Sequence, residues 1–170
     1  MVKVAIINGT NNETSRINAI QQFIEQRVDD VTTIEVYKLP AQALITGDYT
    51  NAEIQAANAE LAKADVVFVL TPVYKASYTG ILKTYLDLLP QKGLENKTII
   101  PVAVGGSAHH LLAIEYALKP VLSVLGATNI LQGVYIVDQA IERTAQGFVI
   151  QEAERTRLEV QLAKVVPVPV

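Results

Sequence analysis

Val66-Val67-Phe68-Val69-Leu70 is a run of five consecutive apolar residues, stopped by Thr71-Pro72. A strand with no polar alternation is buried on both faces, as in the middle of a parallel sheet covered by helices. The rest of the chain fits that demand. Val2–Ile7 is a short apolar run closed by Asn8-Gly9, and Thr33–Tyr37 alternates as a second strand. Thr98–Val104 breaks at Gly105-Gly106, and Ile130–Val137 is a fifth strand. Helices are expected over Ser15–Arg27, Asn51–Ala64, Ser77–Leu89, His109–Leu125 and Ile150–Lys164, with Leu39–Thr50 a loop. Strands and helices in alternation imply a doubly wound α/β sheet with right-handed crossovers. At 170 residues the flavodoxin-like five-stranded parallel sheet, strand order 2-1-3-4-5, is the natural arrangement, with 1–170 as one domain. The tail 165–170, Val-Val-Pro-Val-Pro-Val, cannot continue a helix and is expected to be frayed or extended.

Half the residues are hydrophobic and the mean hydropathy is +0.26, yet no run approaches the roughly 18 apolar residues of a membrane span. The apolar surplus must enter a core, a subunit interface, or both. A net charge of −3 and a pI near 5.4 offer no electrostatic reason to bind nucleic acid or an anionic membrane. The absence of cysteine excludes disulfides, thiolate nucleophiles and iron–sulfur clusters. The first nine residues are broken too soon for a signal peptide, so a cytoplasmic location is expected.

In an open α/β sheet ligands sit beyond the carboxyl ends of the strands, where strand order reverses. Three loops converge there. Asn8-Gly9-Thr10-Asn11-Asn12-Glu13-Thr14-Ser15-Arg16 lacks both G-x-G-x-x-G and a P-loop lysine. It offers hydroxyls, amides and the cation Arg16 at a helix start, a cradle that suits one terminal phosphate. Plain helix capping is the competing reading, and Glu13 opposes an anion unless it points outward. The second loop, Thr71-Pro72-Val73-Tyr74-Lys75-Ala76-Ser77-Tyr78-Thr79-Gly80, supplies flat apolar surface and backbone donors suited to an aromatic ring with polar edges. The alternative is a strand stop with tyrosines covering the sheet edge. Gly105-Gly106-Ser107 allows close backbone approach, or is only a flexible turn. The two histidines, His109 and His110, project about 100° apart on a helix and do not readily share a metal, so no metal site is expected.

The second loop, continued by Ile81-Leu82-Lys83-Thr84-Tyr85-Leu86-Asp87-Leu88-Leu89-Pro90, closely resembles the NAD(P)H-dependent FMN reductases. The nearest branch is the reductase component of two-component alkanesulfonate monooxygenases. His109–Pro120 is similar to that branch's fourth helix, and the resemblance runs from Val2 to about Val137. It implies FMN at the switch point, with Thr10, Ser15 and Arg16 on the phosphate. Pro72, Val73, Tyr74 and Lys75 would line the isoalloxazine, and Gly105, Gly106 and Ser107 would approach the ring edge. Hydride would pass from NADPH or NADH to flavin N5, with no acid–base residue required. Many members carry an arginine where this chain has Asn12, so one phosphate contact is weaker or moved, with Arg16 as the substitute. Asp138–Ile150 does not match the branch. Reduced flavin would leave for a separate flavin-dependent monooxygenase.

The helix expected over His109–Leu125 is apolar nearly all round, so it needs two partners: the sheet and another subunit. Pro120 inside it deprives the Tyr116 carbonyl of its donor, which predicts a kink or π-bulge around Tyr116. The resemblance associates such a bulge with a tetramer interface and makes Lys83 and Asp87 a subunit bridge. A homo-oligomer, dimer or tetramer, is therefore expected. Two other functions share the fold: a quinone or azo reductase that keeps its FMN, and a flavodoxin-type electron carrier. The weak net charge and the oligomer-forming helix argue against the carrier.

Overall fold

The computed structural model describes residues 2–166. Its sheet has the order β2-β1-β3-β4-β5, every neighbouring pair parallel, with a further strand β6 also on β4. The strands are β1 (Val4–Asn8), β2 (Val31–Glu35), β3 (Val66–Pro72), β4 (Thr98–Gly105), β5 (Asn129–Ile130) and β6 (Val134–Val137). All seven residues of β3 are buried, as the unbroken apolar run requires.

Alternate side chains of each strand enter opposite cores. Ala5, Ile7, Val67, Val69 and Ile99 face α2 (Ala41–Thr46), α3 (Ala52–Ala62), α4 (Gly80–Leu86) and α5 (Lys119–Val124). Val4, Ile6, Phe68, Leu70, Val102 and Val104 face α1 (Asn18–Glu25) and α6 (Glu152–Ala163). Half of the apolar surplus question is answered by this double burial.

Several boundaries differ from the sequence reading, each for a local reason. The first helix starts at Asn18, not Ser15, because its opening turn is tight: the amides of Asn18, Ala19 and Ile20 bond the carbonyls three residues back. The second strand lies at Val31–Glu35, and Val36–Lys38 is a 3₁₀ turn rather than strand. Leu39–Thr50 is not all loop, since Pro40 starts the two-turn α2 and Gly47, at φ 69°, ends it. Asn51 caps α3, its side chain accepting from the amides of Glu53 (3.0 Å) and Ile54 (3.3 Å).

The expected fifth strand, Ile130–Val137, is broken in two. Ile99 pairs with Ile130 but Val102 pairs with Val134, so three steps on β4 face four on its neighbour. The extra residue falls opposite Pro101, which has no amide to give the ladder. Gly133 fits there because a Cβ would come within 2.8 Å of Ile114 and 3.1 Å of the Pro101 carbonyl.

The helix expected over His109–Leu125 is three segments: a 3₁₀ turn at Ala108–His110, a π-helix at Ile114–Leu118, and α5. The irregularity falls where Pro120 demanded it. The Lys119 amide bonds the Ile114 carbonyl, five residues back, so the chain widens just before the proline that cannot donate. Tyr116 in this π-helix is 79% exposed, and Val124 at the end of α5 is 83% exposed.

Residues 138–150 form an element that the sequence reading left blank: an antiparallel hairpin of β7 (Ile141–Thr144) and β8 (Gly147–Ile150), separate from the main sheet. Of the expected tail, Val165 and Val166 turn back onto the Leu162 carbonyl, and 167–170 lie outside the described residues. No helix among the described residues is long and apolar enough to cross a membrane.

Candidate active site

The loops after β1, β3 and β4 meet at the switch point between β1 and β3, and a short polar network fixes each of them. At the end of β1, buried Asn8 donates to Asn18 Oδ1 (2.8 Å) and Gln21 Oε1 (2.7 Å) and accepts from the Thr10 amide (3.0 Å). Asn18 passes its own amide on to the carbonyls of Asn12 and Glu13, both at 3.0 Å. The loop is thus held from below by two carboxamides, which have both donors and acceptors to give. The Thr10 hydroxyl is fully buried and donates to the Asn12 carbonyl at 3.1 Å, inside its own turn. The amides of Ser15, Arg16 and Ile17 find no acceptor among the described residues, so the loop presents donors at a helix start.

A second lock ties the first loop to the β3 loop. The Thr79 hydroxyl donates to the Gly9 carbonyl (2.5 Å) and accepts from the Leu82 amide (3.2 Å), capping α4. The Thr79 amide in turn bonds Thr71 Oγ1 at 3.1 Å. Between these anchors Tyr74 and Ser77 bond each other across a two-residue turn, with Lys75 at φ 50° and Ala76 at φ 64°. Two non-glycine residues in the left-handed region are strained, by about 1–2 kcal/mol each in general. The turn projects Tyr74, nearly half exposed, beside Pro72 and Val73.

Gly105 and Gly106 close the third side. A Cβ on Gly105 would strike the Tyr135 hydroxyl and lie 3.1 Å from Val73 Cβ, so only glycine leaves this edge open. Tyr135 donates to the Ser107 carbonyl at 2.6 Å. Its burial, then the nearby Asp138 carboxylate, push the phenol's pKa up, which keeps it a donor.

The hairpin supplies what sequence reasoning missed. Arg143 donates from Nε to the Thr14 carbonyl at 2.7 Å, while Arg16 donates from Nε to the Ile141 carbonyl at 2.8 Å. Loop and hairpin therefore exchange arginines. Neither guanidinium forms an ion pair among the described residues.

These parts enclose a cleft of about 210 Å³ lined by Ser15, Arg16, Pro72, Val73, Tyr74, Gly105 and Gly106, joined by Asn12, Thr14, Asp138 and Arg143. The sequence-derived residues Ser15, Arg16, Pro72, Val73, Tyr74, Gly105 and Gly106 are thus brought together. Thr10 lies beneath the loop, Lys75 sits on the exposed turn, and Ser107 holds Tyr135 and the His109 amide instead of lining the cleft. Asn18, Thr79 and Arg143 escaped the sequence reading. Thr79 alone carried a signal, as a hydroxyl before a helical run. His109 is exposed and His110 half-buried, and no group of three metal-ligating side chains occurs among the described residues.

A larger cavity, about 740 Å³, lies between α4 and α5 against Leu86, Pro120, Val121 and Val124. The Lys83–Asp87 ion pair, 2.7 Å, borders it within one chain. Leu86, Leu89, Pro120, Val121, Val124 and Leu125 line it with Lys83, Asp87, Gln91 and Lys92, whereas the switch-point cleft carries two arginines and the side-chain-free Gly105-Gly106.

The order 2-1-3-4-5 and a donor-lined, one-end-apolar cleft at its switch point define a flavodoxin-like nucleotide-binding α/β protein. The family model for NADPH-dependent FMN reductases matches residues 2–142. An FMN reductase (NADPH) of Pseudomonas putida is 41% identical over 142 residues, spanning 81% of this chain and 72% of that protein. An FMN reductase (NADPH) of Escherichia coli is 37% identical over 145 residues, spanning 82% and 75%. The apo crystal structure of the NADH:FMN oxidoreductase EMOB is 32% identical, with a TM-score of 0.81 over 97% of this chain and 88% of that one. The chain belongs to the NADPH-dependent FMN reductase family.

Proposed function

We propose that this protein reduces FMN with NADPH or NADH and releases the reduced flavin. The observation that carries this reading is the cleft itself: two guanidiniums without carboxylate partners and free loop amides at one end, side-chain-free Gly105-Gly106 and apolar Pro72-Val73 at the other. FMN has the same polarity, an anionic phosphate joined to a flat ring. The residues present therefore fit the group.

Bound FMN would supply the redox chemistry, accepting hydride from the reduced nicotinamide. The chain supplies position. Ser15 and Arg16 hold the phosphate on the open amides of the first loop, and Thr10 shapes that loop from below. Pro72, Val73 and Tyr74 give the ring a flat apolar wall, with Lys75 at its outer turn. Gly105 and Gly106 bring backbone to the ring edge, and Ser107 braces that edge by holding Tyr135. No side chain here is needed as an acid or a base, and the open cleft lets the product leave toward a flavin-dependent monooxygenase. We place the reaction in the cytoplasm, within 1–170 as one domain.

The test is pyridine-nucleotide oxidation followed at increasing FMN. Turnover that saturates in added FMN is expected. Oxidation that needs a quinone or an azo dye and ignores added FMN would replace this reading with a tightly bound flavoenzyme.

The α4–α5 groove, its Lys83–Asp87 pair and exposed Tyr116 and Val124 support a homo-oligomer, dimer or tetramer, built on the π-helix face. A charge at the centre of such a face is costly to bury. Val124→Glu is expected to lower the sedimentation mass by at least half while leaving the far-ultraviolet spectrum unchanged.

A further inference from the structure

The family match ends at residue 142, and the next side chain, Arg143, reaches into the cleft. Its position is set by chemistry on both sides of one seam. Nε is committed to the Thr14 carbonyl, which fixes the plane of the guanidinium and leaves its two terminal nitrogens without a partner among the described residues. Arg16 is arranged the same way in the opposite direction, through Ile141. A guanidinium pinned by one bond is preorganised to present its remaining N–H groups as a fork, the geometry that matches phosphate.

The two arginines also border a second pocket of about 460 Å³ under the hairpin, lined by Gln139, Ile141, Glu142 and Val149. Glu142 is exposed, pairs with neither arginine, and borders this pocket alone, not the cleft. Both arginines line the cleft, where the one lining carboxylate, Asp138 beside Gly106, forms an ion pair with neither of them among the described residues. A dianionic phosphomonoester offers acceptors for both forks.

We propose that Arg143 is a phosphomonoester-recognising residue, completing with Arg16 a clamp whose two jaws are the first loop and the β7–β8 hairpin. The inference rests on the flavin-reductase reading and adds a residue to it. Phosphate held by both forks adds to the two hydrogen bonds that already tie hairpin to loop, so ligand binding and hairpin stability are coupled.

The phosphomonoester has two possible sources, the FMN phosphate and the 2′-phosphate of NADPH, and binding assays distinguish them. Dissociation constants for FMN, riboflavin, NADPH and NADH would be measured by fluorescence titration on wild-type, R143M and R143K protein. Loss of one charge-assisted phosphate contact is expected to weaken FMN binding about tenfold in R143M and leave riboflavin unchanged, with R143K partly restoring the preference. A loss confined to NADPH over NADH would assign the same clamp to the 2′-phosphate. Hydrogen exchange across 141–150 is expected to slow with the phosphorylated ligand only. Equal weakening of FMN and riboflavin, or no change in either preference, would overturn the proposal, because Arg143 would then merely hold Thr14. Wild-type protein that binds no flavin would instead overturn the reductase reading.

Discussion

Gly105→Val is expected to weaken flavin binding by about one to two powers of ten. Glycine is required here by space, not by backbone twist. Any Cβ at 105 meets the Tyr135 hydroxyl on one side and Val73 Cβ at 3.1 Å on the other. Tyr135 cannot retreat freely, because its hydroxyl is committed to the Ser107 carbonyl at 2.6 Å and its ring is half-buried. Val73 cannot retreat without moving its own amide, which bonds the Val104 carbonyl at 2.8 Å. The valine must therefore spread the β3 and β4 loops, the two walls proposed to sandwich the ring edge. Overpacking of this kind costs about 1–3 kcal/mol in general. Flavin fluorescence titration measures the loss, and a thermal melt of the same variant separates it from global unfolding. Unchanged flavin affinity would place the ring elsewhere.

Thr79→Val is expected to be the most destabilising single-atom change near the site. The substitution keeps the shape and removes one hydroxyl, and that hydroxyl serves both Gly9 and Leu82. Thr79 is buried, so the orphaned groups gain no water. A lost helix cap and an unsatisfied buried carbonyl together cost about 2–4 kcal/mol. For a chain of this length that lowers Tm by roughly 4–16 °C. Thr79→Ser keeps the hydroxyl and is expected to recover most of the difference. Since Thr79 joins the first loop to α4, flavin affinity should fall with the melting temperature in the valine variant and recover in the serine one. A melting temperature unchanged in Thr79→Val would show that the loops are held by packing alone.

The core was legible because its signals are local. Five apolar residues at 66–70 demanded a two-faced strand, and Pro120 after Tyr116 demanded a break in the helix, here a π-helix at Ile114–Leu118. The cleft residues Ser15, Arg16, Pro72, Val73, Tyr74, Gly105 and Gly106 were legible for a similar reason: each lies at or beyond a strand end that the sequence marks. What escaped was contact at long range. Arg143 lies 129 residues from Thr14, and Arg16 lies 125 from Ile141. No period or spacing announces that a hairpin will dock there. Asn18 reads as one more polar residue of a helix, although its side chain suspends the first loop. The split of the fifth strand needed the register against Pro101, which is a property of two strands rather than of either one.

The central claim is that the switch-point cleft, not the larger α4–α5 cavity, holds the flavin. Crystals grown with FMN test it directly. Density is expected with the phosphate between Ser15, Arg16 and Arg143 and the ring between Tyr74 and Gly105-Gly106. Flavin found between Leu86 and Val124, with the cleft vacant, would contradict the account.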